Sequence, residues 1–181
     1  MDEERFRITD QAVQDDEQPE SPLEQLAAKH QQLAETKEVH IPVPGYDKQP
    51  PLLLVQYRLL EGTEIARLGE KIRRETRNQW QRQVYAAIDT FIAACKGFYY
   101  DTGDGLYNPL KYQGEHITGF NTTLAEALKF SHELPDPPTA RSVAFALFNH
   151  NDAAIAQHNY LLNSWFSDTS LDVQAELLGN L

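Results

Sequence analysis

The sequence contains very little cysteine and no long hydrophobic run. Cys95 is the single cysteine among 181 residues, so these residues cannot form an intrachain disulfide, and a reducing compartment is the simpler expectation. No apolar stretch approaches the roughly 20 residues that a membrane-spanning helix needs. The first residues are acidic, whereas a secretory signal would begin with basic ones. These absences predict a soluble cytoplasmic protein without a membrane partner.

Positive charge is scarce as well. The chain has 16 Lys and Arg residues against 27 Asp and Glu residues, a formal net charge of −11. Residues 1–20 contain eight acidic residues against Arg5 and Arg7, a net charge of −6. A segment with so few apolar groups cannot offset the entropy of ordering, so we predict a disordered acidic arm over 1–20. The shortage of clustered cations makes a nucleic-acid partner an unfavoured expectation.

Signatures of catalysis and of metal binding are missing. No serine lies in a G-x-S-x-G motif, and no glycine-rich loop has the spacing that binds phosphate. Glu115-His116 matches the end of an H-x-x-E-H zinc motif, but Tyr112 occupies the position of the first histidine. His150 and His158 lie eight residues apart, which is not a compact ligand pair. The sequence therefore predicts no catalytic residue, no cofactor and no metal ligand.

The stretch DTGDGLYNPL, residues 101–110, has two possible explanations. Its Asp and Gly residues resemble the start of a calcium-binding loop, which needs oxygen ligands at its first, third and fifth positions. Counted from Asp101, the third and fifth positions are Gly103 and Gly105, and counted from Asp104 the third is Leu106. Neither register supplies the ligands. Asp and Gly are also the residues of tight turns, so we predict a hairpin turn here.

Residues 21–37 carry the clearest helix signal. Ser21 is a favourable N-cap, Pro22 fits the first helical position, and Glu24 completes a capping box. The positions that form the apolar stripe recur at steps of three and four: Leu23, Leu26, His30 and Leu33. A stripe this narrow suits a partner helix or a shallow groove better than a deep core. We therefore predict that 21–37 is an amphipathic docking helix and that these four residues bind a partner.

Residues 39–181 alternate between strand and helix patterns and predict a single globular α+β domain, mostly helical, with a small antiparallel β element. Residues 39–43 form a short strand, which must lie at a sheet edge because Pro42 and Pro44 lack N–H donors. A second strand covers 52–60. A helical stripe that includes Trp80 then continues from Ile65 to Cys95, as one helix or as two broken near Asn78. Cys95 at its end is expected to be a buried, inert thiol.

The last third of the chain predicts further helices. Helical residues return at 124–130, and Thr139 is a plausible cap for a helix after a proline-rich connector. This helix and the next one are separated at 149–152, and Asp152 is the predicted N-cap of the second. A final short helix is expected at 171–178 and should stop at Gly179.

A group of basic residues lies in the first long helical segment: Arg67, Lys71, Arg73, Arg74, Arg77 and Arg82. One interpretation is a patch for an acidic partner or a nucleic acid. A second, which we favour, is a solvated helix face with close ion pairs such as Glu70–Arg74. A third is that the acidic arm folds back onto this cluster.

Four stretches together resemble a known family in their order and texture: YRLLEGTEIARLGEKIRRE, AIDTFIAACKGFYY, ARSVAFALFNHNDAAIAQHNYLLNSWF and DTSLDVQAELLGNL. Over roughly residues 39–180 the chain resembles the tail assembly chaperones of long-tailed bacteriophages. The resemblance implies a non-enzymatic protein of the host cytoplasm that binds the tape-measure protein and helps recruit tail-tube subunits. A homo-oligomer is compatible with that role. The alternative is a structural phage component, such as a head–tail connector or a tail completion protein.

Overall fold

The structure is a computed structural model that describes residues 21, 23, 38–75 and 78–179, with side chains described as far as 169. The predicted acidic arm at 1–20 lies outside the described residues, as does most of the predicted helix 21–37. The chain divides into two units, Met1–Leu33 and Ala34–Leu181, and all elements below belong to the second. Among the described residues no helix is both long enough and apolar enough to cross a membrane.

An antiparallel sheet of four strands lies at the centre of the domain. Its strands are β1 (Glu38–Pro42), β2 (Leu52–Arg58), β3 (Cys95–Asp101) and β4 (Asn108–Pro109), in that spatial order. The prolines explain the position of β1, because a strand that lacks an N–H donor cannot pair fully on both sides. The predicted edge strand is thus confirmed.

A separate two-stranded hairpin follows β4 in the chain. It consists of β5 (Lys111–Tyr112) and β6 (Glu115–His116). The backbone N–H of Phe98 donates to the carbonyl of Ile117 at 2.9 Å, and the N–H of Leu110 donates to the carbonyl of Phe98 at 2.8 Å. These bonds attach both ends of the hairpin to β3.

The predicted helical segment from Ile65 to Cys95 is two helices, α1 (Gly62–Glu75) and α2 (Gln79–Ala94). Asn78 begins the second helix, since its side chain accepts hydrogen bonds from the backbone N–H groups of Trp80 and Gln81. This is the ordinary capping role of asparagine, which satisfies helix N–H groups that have no partner within the helix.

Three helices follow in the last third of the described chain: α3 (Thr122–Ala127), α4 (Ala140–Leu147) and α5 (Asp152–Gly179). Thr139 caps α4, as predicted, and it forms a capping box with Ser142. Three expectations were wrong in detail. α3 ends earlier than predicted, and Lys129 beyond it has a positive φ of 63°. The cap of α5 is Asn151, whose Oδ1 accepts hydrogen bonds from the backbone N–H groups of Ala153 and Ala154. The short helix at 171–178 is the end of α5 rather than a separate element.

The core lies between one face of the sheet and the helices. Leu53, Val55 and Tyr57 of β2 point to that face and are at most 5% exposed. They belong to one cluster with Ile88 and Phe91 of α2 and with buried residues of α4 and α5. Burying each such side chain contributes about 1.5–3 kcal/mol. The predicted class, an α+β domain that is mostly helical, is confirmed.

Candidate functional site

The structure describes one of the four residues predicted to bind a partner. Leu23 is helical and is 79% exposed. Leu26, His30 and Leu33 lie outside the described residues. The stripe on 21–37 therefore stays a prediction, and the surfaces described next come from the domain.

The stretch 101–110 is a hairpin turn between β3 and β4, as predicted. Oδ1 of the buried Asp101 accepts hydrogen bonds from the backbone N–H groups of Gly103 at 2.7 Å and Gly105 at 3.1 Å. Both glycines have positive φ values, 101° and 77°, which glycine adopts without strain. The Asp101 carboxylate thus closes the turn. Among the described residues, no three His, Cys, Asp or Glu side chains are grouped so that they could hold a metal ion.

Asp89 on α2 carries a buried charge that is bound by two cations. Its carboxylate accepts hydrogen bonds from Nε and Nη2 of Arg141, at 2.9 and 2.6 Å, and from Nζ of Lys71 at 3.0 Å. Arg141 also pairs with Glu75 at 2.8 Å. Burial opposes the ionised form, but the bonds from Arg141 and Lys71 outweigh it and hold the pKa of Asp89 below its ordinary value. The network joins α1, α2 and α4, so its geometry is that of a structural brace.

His158 on α5 lies in the core with both ring nitrogens in hydrogen bonds. Nδ1 is 3.0 Å from the carbonyl oxygen of Pro42, to which it must donate, so Nε2 accepts from the hydroxyl of Tyr57 at 2.7 Å. Burial lowers the pKa of His158 to about 4. The imidazole is neutral near pH 7 and joins α5 to the sheet.

Cys95 begins β3, and its thiol is a poor nucleophile. Burial raises the pKa of Cys95 to about 12, so the thiolate is almost absent near neutral pH. Its Sγ lies 4.0 Å from the carbonyl oxygen of Thr118. The side chain has the inert character that the sequence predicts, and Cys95 is both the C-cap of α2, as expected, and the first residue of β3.

In the predicted basic cluster, Lys71, Arg73 and Arg74 lie on α1 and contact neighbouring acids or backbone. Arg74 pairs with Glu70 at 3.6 Å, which is the predicted ion pair, and both side chains are mostly exposed. Lys71 binds Asp89, and Nε of Arg73 donates to the carbonyl of Gly69 at 3.2 Å. Arg77 lies outside the described residues. These contacts favour the interpretation as a solvated helix face.

The face of the sheet that points away from the helices has a group of rings. His40 on β1 lies 4.6 Å from Tyr99 and 4.5 Å from Tyr107 between ring centroids, and Tyr99 lies 5.0 Å from His116. Burial lowers the pKa of His40 and is only partly opposed by Glu38. His116 packs over Gly97, where an added Cβ would lie 2.7 Å from the imidazole Cε1. The rings cover this part of the sheet.

An apolar groove lies beside the loop between β1 and β2. We call it the Pro50 groove; its volume is about 600 Å³, and it is lined by Tyr46, Pro50, Pro51, Leu52, Leu53, Tyr100, Thr102, Leu110 and Leu128. Most of its wall is carbon. Burial is the main reason that the pKa of Tyr46 is raised, with the nearby charge of Glu133 adding to it. A groove of this size and character suits an apolar segment of another molecule.

A second groove runs between α2 and α5, and we call it the Trp80 groove. Its volume is about 340 Å³, and it is lined by residues of both helices: Trp80, Gln83, Val84, Ala87, Asp152, Ile155, Ala156 and Asn159. Val84 and Ile155 are 9% and 1% exposed, whereas Trp80 is 56% exposed. Trp80 lay on the predicted core stripe of its helix, so its exposure departs from that expectation.

The polar groups of the Trp80 groove lie along α5. Nε1 of Trp80 donates to Oδ2 of Asp152 at 3.1 Å, which holds the indole in place. Among the described residues that line this groove, none is Lys or Arg. The described residues that line a neighbouring hollow of about 690 Å³ all belong to α5, and they include Tyr160 and Asp168. The Trp80 groove therefore has an apolar floor and one acidic group, Asp152, beside the indole.

Comparison of the chain with protein-family models, with curated proteins and with solved structures finds no match. The fold and the two grooves are thus the observations from which a function has to be argued.

Sequence patterns did not indicate either groove, because each one combines residues that are distant in the chain. The side chains of Trp80 and Asp152 meet across 72 positions, and the Pro50 groove combines Pro50 with Leu110 and Leu128. One signal was available for the first pair. A tryptophan two residues after a helix cap lies in the first turn, where a side chain is less enclosed than at the middle of the helix.

Proposed function

We propose that this chain is a non-enzymatic tail assembly chaperone of a long-tailed phage. In the host cytoplasm it binds the tape-measure protein and helps recruit tail-tube subunits. Its described domain holds the partners through surface grooves, and the helix predicted at 21–37 adds a further docking element.

The observation that supports the proposal most is the presence of two grooves built from different elements. The Pro50 groove is formed by loops and strand ends, and the Trp80 groove by two helices, with no residue in common. A protein that brings a client and a second kind of subunit together needs separate surfaces for them. Exposed Trp and Tyr side chains are the residue types that contribute most to binding at interfaces.

The state of the reactive side chains also supports a binding role. Asp89 and His158 make contacts that connect elements of the fold, and the Cys95 thiol is protonated near neutral pH. A general base or a nucleophile needs a pKa suited to its task and access to a substrate. These three residues lack that combination.

The resemblance over residues 39–180 gives the proposal its specific form. An excess of acidic residues favours the solubility of a protein that carries apolar binding surfaces, and the net charge of −11 fits this requirement. The client expected from the resemblance is a long, helix-forming protein, and such a client suits grooves that accept amphipathic segments.

Co-expression tests the proposal. The tape-measure protein from the same phage should be insoluble when made alone and should become soluble and co-purify when this chain is made with it. A size-matched acidic protein, expressed in place of the chain, serves as the control for non-specific solubilisation. A tape-measure protein that stays insoluble with the wild-type chain, or that dissolves equally well with the control, contradicts the proposal.

A further inference from the structure

We propose that the Pro50 groove binds a short proline-rich segment of a partner protein, in the polyproline II conformation and with a Lys or Arg residue next to the prolines. The inference deepens the proposed function, because it assigns one of the two grooves and the chemistry of the segment that occupies it. It rests on that function only for the identity of the partner.

The lining of the groove is apolar and includes aromatic rings. Of the described residues that line it, none is charged, and the rings of Tyr46 and Tyr100 lie beside Pro50, Pro51 and several leucines. A volume of about 600 Å³ is in the range of sites that hold one small molecule, so the groove accommodates a few side chains of a short segment. A helix shorter than about 12 residues is marginal on its own. A polyproline II segment is already formed before it binds, and it docks in aromatic-lined grooves.

The backbone around the groove has few donors left for a bound strand. The N–H of Leu53 donates to the carbonyl of Tyr46 at 3.3 Å, and the N–H of Leu110 donates to a carbonyl of β3 at 2.8 Å. Pro50 and Pro51 have no N–H group. A β-strand added here would therefore find few partners for its own backbone groups. A proline-rich segment has fewer N–H groups to satisfy, so it fits this lining better.

Two hydroxyl groups are available to the carbonyls of such a segment. Among the described residues, neither the Tyr46 hydroxyl nor the Tyr100 hydroxyl has a hydrogen-bond partner. The pKa of Tyr46 is raised, mainly by burial, so its hydroxyl is protonated near neutral pH and can donate. A polyproline II backbone makes no internal hydrogen bonds, and its carbonyls are therefore free to accept.

The charge beside the groove is negative. Of the charged groups among the described residues, Glu133 is the one that contributes to the raised pKa of Tyr46, so its carboxylate lies near that ring. The Glu133 side chain is 44% exposed, and its ion-pair contact is with His132 at 3.8 Å, which carries a charge only when it is protonated. A Lys or Arg residue beside the bound prolines would meet this acid.

A second copy of this chain is the less suitable occupant. Its own proline-rich connector, residues 134–139, has Asp136 where the groove calls for a cation. Each copy also carries a net charge of −11, which opposes the approach of another copy.

Three synthetic peptides of about ten residues, which span about 30 Å at roughly 3.1 Å per residue, provide the probe. The first has a centre of proline and leucine with a Lys residue next to it, the second has Glu in place of that Lys, and the third has alanine in place of every proline. Fluorescence anisotropy of the labelled peptides measures binding to the full chain at physiological salt. The Lys peptide should bind about 10-fold more tightly than the alanine peptide and about 5-fold more tightly than the Glu peptide.

Variants locate the binding to the groove. Tyr46→Phe combined with Tyr100→Phe removes both hydroxyls but keeps the rings, and it should weaken binding of the Lys peptide by about 5-fold or more. Glu133→Gln should weaken binding of the Lys peptide by about 3-fold and should not weaken that of the Glu peptide. Two matched controls outside the groove should change nothing: Tyr160→Phe, whose ring is 71% exposed, and Glu70→Gln on α1. Each change removes a single polar group or charge, so the variants should stay folded.

Three outcomes would overturn the inference: no binding of the Lys peptide, equal binding of the Lys peptide and either of the other two, or binding that loss of both hydroxyls leaves unchanged. Self-association of the wild type that the double variant abolishes would assign the groove to a second copy and would also contradict it. Capture of the tape-measure protein separates the inference from the proposed function. Capture by the wild type, without binding of any peptide, refutes only the groove assignment. Binding of the Lys peptide through the two hydroxyls, without capture of the tape-measure protein, refutes only the function.

Discussion

Replacing Asp89 with alanine should destabilise the domain far more than removing an exposed ion pair does. The Asp89 carboxylate is 4% exposed and accepts three hydrogen bonds from Arg141 and Lys71. Leaving buried charges without their partner costs about 3–5 kcal/mol. The side chains of Arg141 and Lys71 are 26% and 53% exposed and can be partly rehydrated, so we expect the lower end, about 3 kcal/mol. For a domain of this size that loss lowers the Tm by about 6–12 °C.

Thermal denaturation followed by circular dichroism measures this effect. The matched control is Glu70→Gln, which removes the exposed pair with Arg74 and should cost about 0.5 kcal/mol. The pH dependence provides a second check. Because the pKa of Asp89 is lowered by folding, its contribution is present above the ordinary value of 3.8 and is lost as the pH falls through the folded-state value. Similar small losses of stability in both variants at pH 7 would refute the interpretation of Asp89 as a brace.

Three further predictions follow from the same structure and sequence. The pKa of His158 is 6.5 in the unfolded chain and about 4 in the folded domain, so the free energy of unfolding should fall by up to about 3 kcal/mol as the pH is lowered from 6.5 to 4. Denaturant titrations at several pH values would measure this fall, and His158→Gln should lose most of it. Asp101→Ala removes the acceptor of two backbone N–H groups and should lower the free energy of unfolding by about 1–3 kcal/mol. A calcium chelator should leave the Tm of the wild type unchanged, and a chelator-induced fall of several degrees would refute the assignment of 101–110 as a simple turn. Leu26→Asp with Leu33→Asp should weaken client binding by about 1.5–3 kcal/mol per leucine without unfolding the domain, and an unfolded double variant would show that 21–37 belongs to the core.

Local chemistry was sufficient to predict much of the fold. The missing N–H groups of Pro42 and Pro44 indicated an edge strand, and Thr139 marked the start of α4. A break near Asn78 was one of the two alternatives for the long helical segment, and the structure has that break. Each of these features depends on a residue and its immediate neighbours. Sequence patterns therefore locate a feature well where one residue and its neighbours determine it.

The errors arose where a distant contact or two equivalent residues decided the outcome. Asn151 and Asp152 are both good capping residues, and pattern alone could not choose between them. The hydrogen bond between Tyr57 and His158 joins residues 101 positions apart, so no local spacing signals that this histidine is part of the core. The grooves are similarly formed by packing between elements. Candidate binding surfaces of this kind become visible only once the elements are placed together.

The most direct test of the proposed chaperone role is to find where the protein is during and after assembly. Quantitative mass spectrometry would compare complexes isolated from infected cells with purified phage particles. A chaperone should be found bound to the tape-measure protein in the cell extract and should be absent from the finished particle. A fixed number of copies in every particle, together with no complex in the extract, would contradict the account and would support a head–tail connector or tail completion protein instead.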